Sequence, residues 1–309
     1  MNLMVNRCMV FVPVNNPHFV EQAWTWGADV IILDLEDTVP MSEKEKARNL
    51  VRGVIPKVAK GGASVFVRIN KEFIESDLRA AVWPGISRII FPKTESAKEI
   101  QLIDTLLTEL EKERGIPLGT IEISPALETA LGVVNSYSIA TSSPRIKKVM
   151  GGIGYDLSAD LEIEMFANFE QYAYTRAEPA LAGMVAGVEA TGAPYVPGTG
   201  RVDQSEQGKA RAQALRNAHI YEAVALHPEQ IEPLVIGLTP TPTEVNWAKK
   251  VIDVYEKLEQ DGESMSQVGE QVVDIYEYRY AQELLQWGDA CAAKDQYKMR
   301  AVAKARSEH

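Results

Sequence analysis

Short apolar runs that end in charged residues recur along this chain, and they constrain its fold more than any other feature. Five such runs are followed by charged side chains, namely Asp34 with Glu36 and Asp37, then Arg68, Lys93, Glu128 and Asp156. Stretches of helical periodicity, such as residues 42–59 and 96–113, separate the runs. Strands that alternate with helices are typical of parallel β/α units. We therefore predict an α/β fold, a (β/α)8 TIM barrel, whose active site lies at the carboxyl ends of the strands.

The sequence contains eight candidate strands, the number that such a barrel needs. They are residues 8–14, 29–34, 64–69, 87–92, 120–127, 147–153, 193–196 and 222–226. The seventh is short and contains Pro194, which is unfavourable inside a sheet. One barrel commonly takes about 250 residues. The chain of 309 residues therefore accommodates one barrel and a C-terminal segment.

The sequence changes character after His227 and Pro228, where helical periodicity replaces the strand pattern. We predict a TIM-barrel catalytic domain at residues 1–230 and a C-terminal helical and hairpin lid at residues 231–309, which would pack on a neighbouring subunit. The predicted lid comprises a helix at 242–260, a hairpin at 268–274, a helix at 275–293 and a frayed polar tail at 294–309.

Composition excludes several classes of protein. The formal net charge is −11 and no basic stripe occurs, so the sequence lacks the electrostatic signature of nucleic-acid binding. No run of 18 apolar residues and no secretory h-region is present, so we expect no membrane association and a cytoplasmic location. Cys8 and Cys291 lack the spacing of a metal or redox motif, and we interpret them as ordinary buried thiols.

The acids at the strand ends have two possible explanations. Acidic residues favour the first turn of a helix, and Glu128 or Asp156 could simply cap the helix that follows. Acids crowded at a strand end repel each other, however, and require a nearby cation. Two acids at successive strand ends favour a metal site, whereas Lys93 could serve only to neutralise the cluster.

Several segments, spread in order over most of the predicted barrel, resemble one enzyme family. They are RCMVFVP at 7–13, GAD at 27–29, LDLED at 33–37, KAR at 46–48, VRIN at 67–70, FPKTESA at 91–97, LETA at 127–130, GYDLSAD at 154–160 and HPEQI at 227–231. Together they are similar to the citrate lyase beta-subunit-like and malyl-CoA lyase family, within the Mg-dependent HpcH/HpaI-type aldolase superfamily. The ordered set is far more specific than any single motif.

The resemblance implies a Mg2+-dependent carbon–carbon lyase that cleaves a 3-hydroxyacyl-CoA into acetyl-CoA and a 2-oxo acid. Glu128 and Asp156 would bind Mg2+, a hard ion that takes one or two carboxylates and leaves other positions to water and substrate. Arg68 would bind substrate through its planar guanidinium, which suits a carboxylate or a developing oxyanion.

The resemblance also implies roles for residues around the metal. Glu36 and Asp37 would form the outer metal shell, with Asp37 counted among the catalytic residues. Asp274 would reach a neighbouring subunit's active site and transfer a proton, in a homotrimer or hexamer. Lys93 and Gly154 would contact the substrate together with Arg68 and Glu36.

Three departures from the family pattern keep other substrates open. Val14 replaces the usual glycine, His18 follows the next proline where the family has a basic residue, and a segment around Gly198 replaces an Asp-Gly strand end. Those regions contact the CoA portion in relatives. One alternative is therefore a Mg2+-dependent aldolase of free 4-hydroxy-2-oxo acids, and another is a carrier-dependent citrate lyase subunit.

Overall fold

Strands and helices alternate along most of the chain. The computed structural model describes residues 5–152, 154–164, 169–191, 206–217, 220–269 and 271–308. The strands are β1 Cys8–Pro13, β2 Val30–Asp34, β3 Ser64–Arg68, β4 Ile86–Phe91, β5 Glu122–Leu127, β6 Lys148–Gly151, β7 Glu189–Thr191, β8 Ala223–Ala225, β9 Ser266–Val268 and β10 Gln271–Val273. The helices are α1 Pro17–Gln22, α2 Lys44–Ala59, α3 Ile74–Ala81, α4 Ala97–Arg114, α5 Ala130–Val134, α6 Ser136–Ala140, α7 Tyr155–Asp160, α8 Ala173–Ala186, α9 Glu206–Asn217, α10 Ile231–Leu238, α11 Pro242–Asp261 and α12 Ile275–Ser307.

Eight parallel strands form one sheet in the order β7-β6-β5-β4-β3-β2-β1-β8. Neighbours are consecutive in sequence except where β1 meets β8, which is the strand order of a TIM barrel. Within the described ranges no ladder joins β7 to β8. The predicted α/β, TIM-barrel-like fold is confirmed, and the register brings the strand ends together. Asp34 of β2, for example, lies opposite Arg68 of β3.

The predicted strands agree with this sheet except at the seventh position. Residues 193–196 lie outside the described residues, and the strand that pairs with β6 is Glu189–Thr191. The earlier segment is free of proline, so its backbone N–H groups are available to the ladder. The predicted hairpin is also present, as β9 paired antiparallel with β10.

Strands β1 to β4 are buried on both faces. This explains why each appears in the sequence as an apolar run and not as an alternation of apolar and polar residues. Successive side chains point to opposite sides of the sheet. One set packs under the surrounding helices and includes Val10, Ile31, Leu33, Val65, Val67 and Ile89. The other set fills the barrel interior and comprises Met9, Val30, Ile32, Phe66, Ile90, Ala126 and Val224.

Helix α12 is longer than the sequence predicted, and its second half lies against the amino end of the barrel. Asp295 forms an ion pair with Arg7, and Lys298 forms one with Asp29, which directly precedes β2. The prediction of a frayed tail at 294–309 is wrong for residues 294–307, which are helical. The polar side chains that suggested fraying bind buried charges of the barrel.

The C-terminal segment begins with a helix that belongs with the barrel. Residues 231–238, which the sequence assigned to the lid, form α10 and pack on α9 and β1. Helices α11 and α12 then pack side by side and carry the hairpin at their far end. The lid function of this segment stays a prediction. Across the described part of the chain, no helix has the length and apolar character needed to span a membrane.

A layer of charged side chains crosses the sheet near the amino ends of its strands. Arg88 of β4 lies 2.7 Å from Glu122 of β5 and stacks on Phe66. Lys148 of β6 forms an ion pair with Glu222, the residue before β8, and both are buried. The Lys148–Glu222 pair therefore links the start of β6 to the residue that leads into β8, the strand at the other end of the sheet order.

We expect Glu222→Gln to destabilise the protein by about 2 kcal/mol, because the buried Lys148 then keeps only its pair with the half-exposed Glu189. Urea denaturation at neutral pH would measure the change in the free energy of unfolding. Glu308→Gln is the control, since Glu308 forms only an exposed pair with Lys304 at 3.9 Å and such pairs contribute little. Equal stabilities for the two variants would contradict a role for the buried layer.

Candidate active site

Arg68 lies at the centre of the charged residues at the carboxyl ends of the strands. Its Nε and Nη2 atoms donate to the two carboxylate oxygens of Asp34 at 2.7 and 2.8 Å. Its Nη1 atom lies 2.9 Å from Glu36 and 3.3 Å from Asp37. The Phe11 ring stacks under the guanidinium at 4.3 Å. Arg68 therefore contacts all three acids at the end of β2, and it is the nearby cation that their crowding requires.

Asp34 and Glu36 respond differently to this arginine. Burial alone would raise the pKa of Asp34, but the hydrogen bonds and charge of Arg68 outweigh it and lower that pKa. Thr38 and the amide of Glu36 also donate to Asp34. For Glu36 burial dominates and raises its pKa, although the positive charges of Arg68 and Lys93 oppose the shift. Asp34 is thus a fixed counter-ion, whereas Glu36 is less well compensated.

Lys93 follows β4 and reaches across the mouth of the barrel. Its Nζ atom lies 2.6 Å from Glu36 and 3.2 Å from Asp156. Its backbone N–H donates to Glu128 at 3.0 Å. Burial disfavours the charged ammonium, but the hydrogen bond to Glu36 and the surrounding carboxylates outweigh it and raise the pKa of Lys93. Lys93 thereby connects acids that come from three different strand ends.

Glu128 and Asp156 follow β5 and β6. Asp156 lies in the first turn of α7, and Glu128 precedes Thr129, whose side chain caps α5. Burial, followed by the negative charges of Asp156 and Glu36, raises the pKa of Glu128 to about 7. Neither acid caps the helix that follows it, so the capping explanation does not account for these residues. The two carboxylates instead share one electrostatic environment that lacks sufficient positive charge.

This donor set fits Mg2+. Within the described ranges no group of three or more His, Cys, Asp and Glu side chains is arranged to hold a metal. Mg2+ does not require one, since it is commonly bound by one or two carboxylates and completes its octahedron with water and substrate oxygens. Glu128 and Asp156 are the candidate ligands. Burial and, after it, the negative charge of Asp156 raise the pKa of Glu128, and a bound cation would offset both effects.

The glycines near this site have two different roles. A Cβ on Gly151 would lie 2.3 Å from the carbonyl oxygen of Leu127, and one on Gly152 would lie 2.4 Å from that of Thr175. Both positions therefore need glycine for close approach of the protein's own backbone. Gly154 has open space around its Cβ position and accepts a hydrogen bond from Ser158. Of the three, Gly154 alone retains the space for substrate that the sequence suggested.

Asp274 is not among the residues gathered here. It caps α12, accepting from the backbone N–H groups of Tyr276 and Glu277 at 2.8 and 3.1 Å. This cap is a structural role, distinct from the proton transfer that the family resemblance implies for Asp274. The segment around Gly198 lies outside the described residues. Val14 is buried at 2% exposure, so its departure from the family pattern lies in the core.

Sequence reasoning missed two residues that support the cluster. Lys71 donates to the backbone oxygen of Lys93 at 2.8 Å and pairs with Glu95 at 2.6 Å. Asp34, although noted as part of the acidic run, was given no role of its own. The parallel register of β2 and β3 identifies Asp34 as the partner of Arg68, but no sequence signal identifies Lys71.

Comparisons with known proteins point to one enzyme family over most of the chain. The HpcH/HpaI aldolase/citrate lyase family model matches residues 7–215. Citrate lyase subunit beta of Leuconostoc mesenteroides subsp. cremoris is 34% identical over 281 residues, which cover 88% of this chain and 90% of that protein. L-malyl-CoA/beta-methylmalyl-CoA lyase of Rhodobacter capsulatus is 28% identical over 297 residues, which cover 90% and 93%.

A solved structure shares the fold. CitE from Mycobacterium tuberculosis, crystallised in complex with magnesium, acetoacetate and coenzyme A, matches with a TM-score of 0.72. The match covers 94% of this chain and 100% of that chain at 23% sequence identity. At this level of identity the likeness shows a common fold.

The pKa of Glu128 predicts a specific pH dependence of stability. A carboxyl group whose pKa is about 7 when folded and about 4.3 when unfolded binds more protons in the folded state, so stability falls as pH rises between these values. Glu128→Gln removes the titrating carboxyl group and therefore this loss of stability at high pH. We expect the unfolding free energy of the variant, relative to wild type, to rise by up to about 3 kcal/mol from pH 4.5 to 8 in a chelator.

Urea denaturation across this pH range would measure the difference. Asp261→Asn, which changes an exposed carboxylate at the end of α11, is the control and should show no such rise. A constant difference for Glu128→Gln would show that Glu128 titrates normally.

Proposed function

This chain belongs to the HpcH/HpaI aldolase/citrate lyase family, and we propose that it is a Mg2+-dependent carbon–carbon lyase. Its proposed substrate is a 3-hydroxyacyl-CoA of the malyl, citramalyl or citryl type, which it cleaves into acetyl-CoA and a 2-oxo acid. The observation that carries this proposal is the convergence of Arg68, Glu128 and Asp156 at one end of the barrel. The lyases to which the chain is similar supply the substrate class.

The reaction breaks the bond between C2 and C3 of the acyl chain. The 3-hydroxyl loses its proton and becomes the oxo group of the 2-oxo acid, while the electron pair of the broken bond forms the enolate of acetyl-CoA. Protonation of that enolate at carbon completes acetyl-CoA. Mg2+ held by Glu128 and Asp156 would supply Lewis-acid polarisation of the substrate oxygens.

Arg68 provides positive charge for the oxygen that gains electron density. Two of its nitrogen atoms are fixed by Asp34, so the guanidinium is held in one orientation before substrate binds. Pre-oriented charge of this kind stabilises a developing anion without the cost of reorganisation. Glu36 and Asp37 contact the remaining nitrogen and would orient water around the metal.

Asp274 is the proposed acid that protonates the enolate carbon, from a neighbouring copy in a homotrimer or hexamer. Lys294, on the same continuous helix, contacts the barrel at its amino end through the carbonyl of Gly62. At 1.5 Å per residue the helix holds Asp274 about 30 Å from that contact. The hydrogen bonds that Asp274 forms within its own chain are those with the start of α12, and in the described residues it forms no ion pair with Arg68, which supports an action on another subunit.

A second candidate function follows from the relative with 34% identity, which is a subunit of citrate lyase. As such a subunit, the protein would act on a thioester carried by a partner protein instead of on free CoA. The same residues would perform the same bond cleavage. Aldol cleavage of free 4-hydroxy-2-oxo acids is the third alternative, and it differs from both in requiring no thioester.

We expect the purified protein to release acetyl-CoA from at least one of malyl-, citramalyl- and citryl-CoA with Mg2+, and to lose this activity in a chelator. Free 4-hydroxy-2-oxo acids assayed in parallel should not be cleaved. Glu128→Ala and Asp156→Ala should each lower kcat/KM by a factor of about 1,000 or more, with circular dichroism unchanged. Asp261→Ala is the control, and undiminished activity in either ligand variant would overturn the assignment.

Mixed oligomers test the origin of Asp274. Arg68→Ala and Asp274→Asn should each be inactive alone, because each lacks one essential group at every site. If sites are shared between copies, co-expression in equal amounts restores both groups at about one quarter of the sites. Activity of the mixture near one quarter of wild type supports the shared site, and a mixture as inactive as its parents refutes it.

A further inference from the structure

Lys93 has an unusual backbone conformation for its residue type. Its φ angle is +46°, in the left-handed region, and Glu162 is the other non-glycine residue with positive φ in the described part of the chain. Residues with a Cβ are disfavoured there, whereas glycine is not. Such a conformation persists where the surroundings hold it. At Lys93 the backbone N–H binds Glu128 and the carbonyl accepts from Lys71.

The side chain gives a reason for having lysine at this position. The ammonium lies 2.6 Å from Glu36, 3.2 Å from Asp156 and 3.9 Å from Asp37. Lys93 therefore contacts both candidate metal ligands, Glu128 through its amide and Asp156 through its side chain. Because the ammonium is ion-paired and stays protonated, it is not available as a nucleophile.

We infer that Lys93 is a positioning residue that competes with the divalent cation for Asp156 and thereby sets the affinity of the metal site. This inference rests on the proposed function, because it takes Glu128 and Asp156 as the metal ligands. A cation that binds Asp156 displaces the ammonium, which keeps its shorter contact with Glu36. The bound cation and the ammonium then repel each other, so Lys93 weakens metal binding and keeps it reversible.

The backbone contact has the opposite effect on the metal. The amide of Lys93 donates to one oxygen of Glu128 at 3.0 Å, and the other oxygen is the one that would bind the metal. Lys93 thus holds Glu128 in place through its amide, while its ammonium neutralises Asp156. A purely structural lysine would stabilise the site, and its loss would weaken metal binding. A competing lysine predicts the reverse, which makes the two roles distinguishable.

Calorimetric titration of Mg2+ into chelator-treated, desalted protein tests the inference. Lys93→Met keeps the length and the backbone amide but removes the charge, and its Kd for Mg2+ should fall about tenfold. Lys93→Arg keeps the charge and should stay within about threefold of wild type. The control is Lys57→Met, which removes an exposed lysine that pairs with Glu21 at the same distance of 2.6 Å and should leave Kd unchanged.

An unchanged or higher Kd for Lys93→Met would overturn the inference. Lys93→Gly removes the ammonium and suits the left-handed backbone, so it provides the same test should the methionine variant not fold. Glu128→Ala separates this outcome from failure of the proposed function. If wild type and Glu128→Ala bind Mg2+ equally, the metal site itself is wrong. If Glu128→Ala abolishes Mg2+ binding and neither Lys93→Met nor Lys93→Gly binds Mg2+ more tightly than wild type, the inference alone fails.

Discussion

The candidate active site depends on the two-pronged ion pair between Arg68 and Asp34. The two residues end neighbouring strands in matched register, so the sheet itself brings them together. Asp34 is fully buried and Arg68 nearly so. A buried charge that lost its partner would be strongly destabilising. The pair therefore fixes the guanidinium in place, and the acids at Glu36 and Asp37 take their positions from its remaining nitrogen.

The charge balance around this pair explains the chemistry proposed for the site. Four carboxylates, those of Asp34, Glu36, Asp37 and Asp156, form ion pairs with Arg68 and Lys93, whereas Glu128 accepts a hydrogen bond from the backbone amide of Lys93. Asp34 is fully compensated, and the deficit falls on Glu36 and Glu128, whose pKa values are raised. In the charged layer near the amino ends of the strands, by contrast, each carboxylate contacts a basic side chain, Glu122 through Arg88 and both Glu189 and Glu222 through Lys148. The unbalanced end is the one suited to binding a cation.

Much of the barrel could be predicted from the sequence, because strands buried on both faces leave uninterrupted apolar runs and parallel register aligns their ends. The clustering of Glu36, Arg68, Glu128 and Asp156 follows from that register. Strand β7 was harder to predict, since three residues are too few to show a hydrophobic pattern. The contacts of Lys71 and the left-handed backbone of Lys93 depend on tertiary packing. The helical tail was missed because its polar residues bind charges that are distant in sequence, such as Asp29.

Helix α12 is continuous, so a small rotation at one end of it displaces the other end. Its second half is fixed to the amino end of the barrel by Arg7 and Asp29, and no break separates that part from the first turn, which Asp274 caps. Over about 30 Å of rigid helix, a tilt of about 5° at the fixed part displaces the far end by about 3 Å. A substitution in the base of the barrel can therefore misplace Asp274 without touching it. The position of Asp274 therefore depends on ion pairs at the amino end of the barrel, opposite the proposed active site.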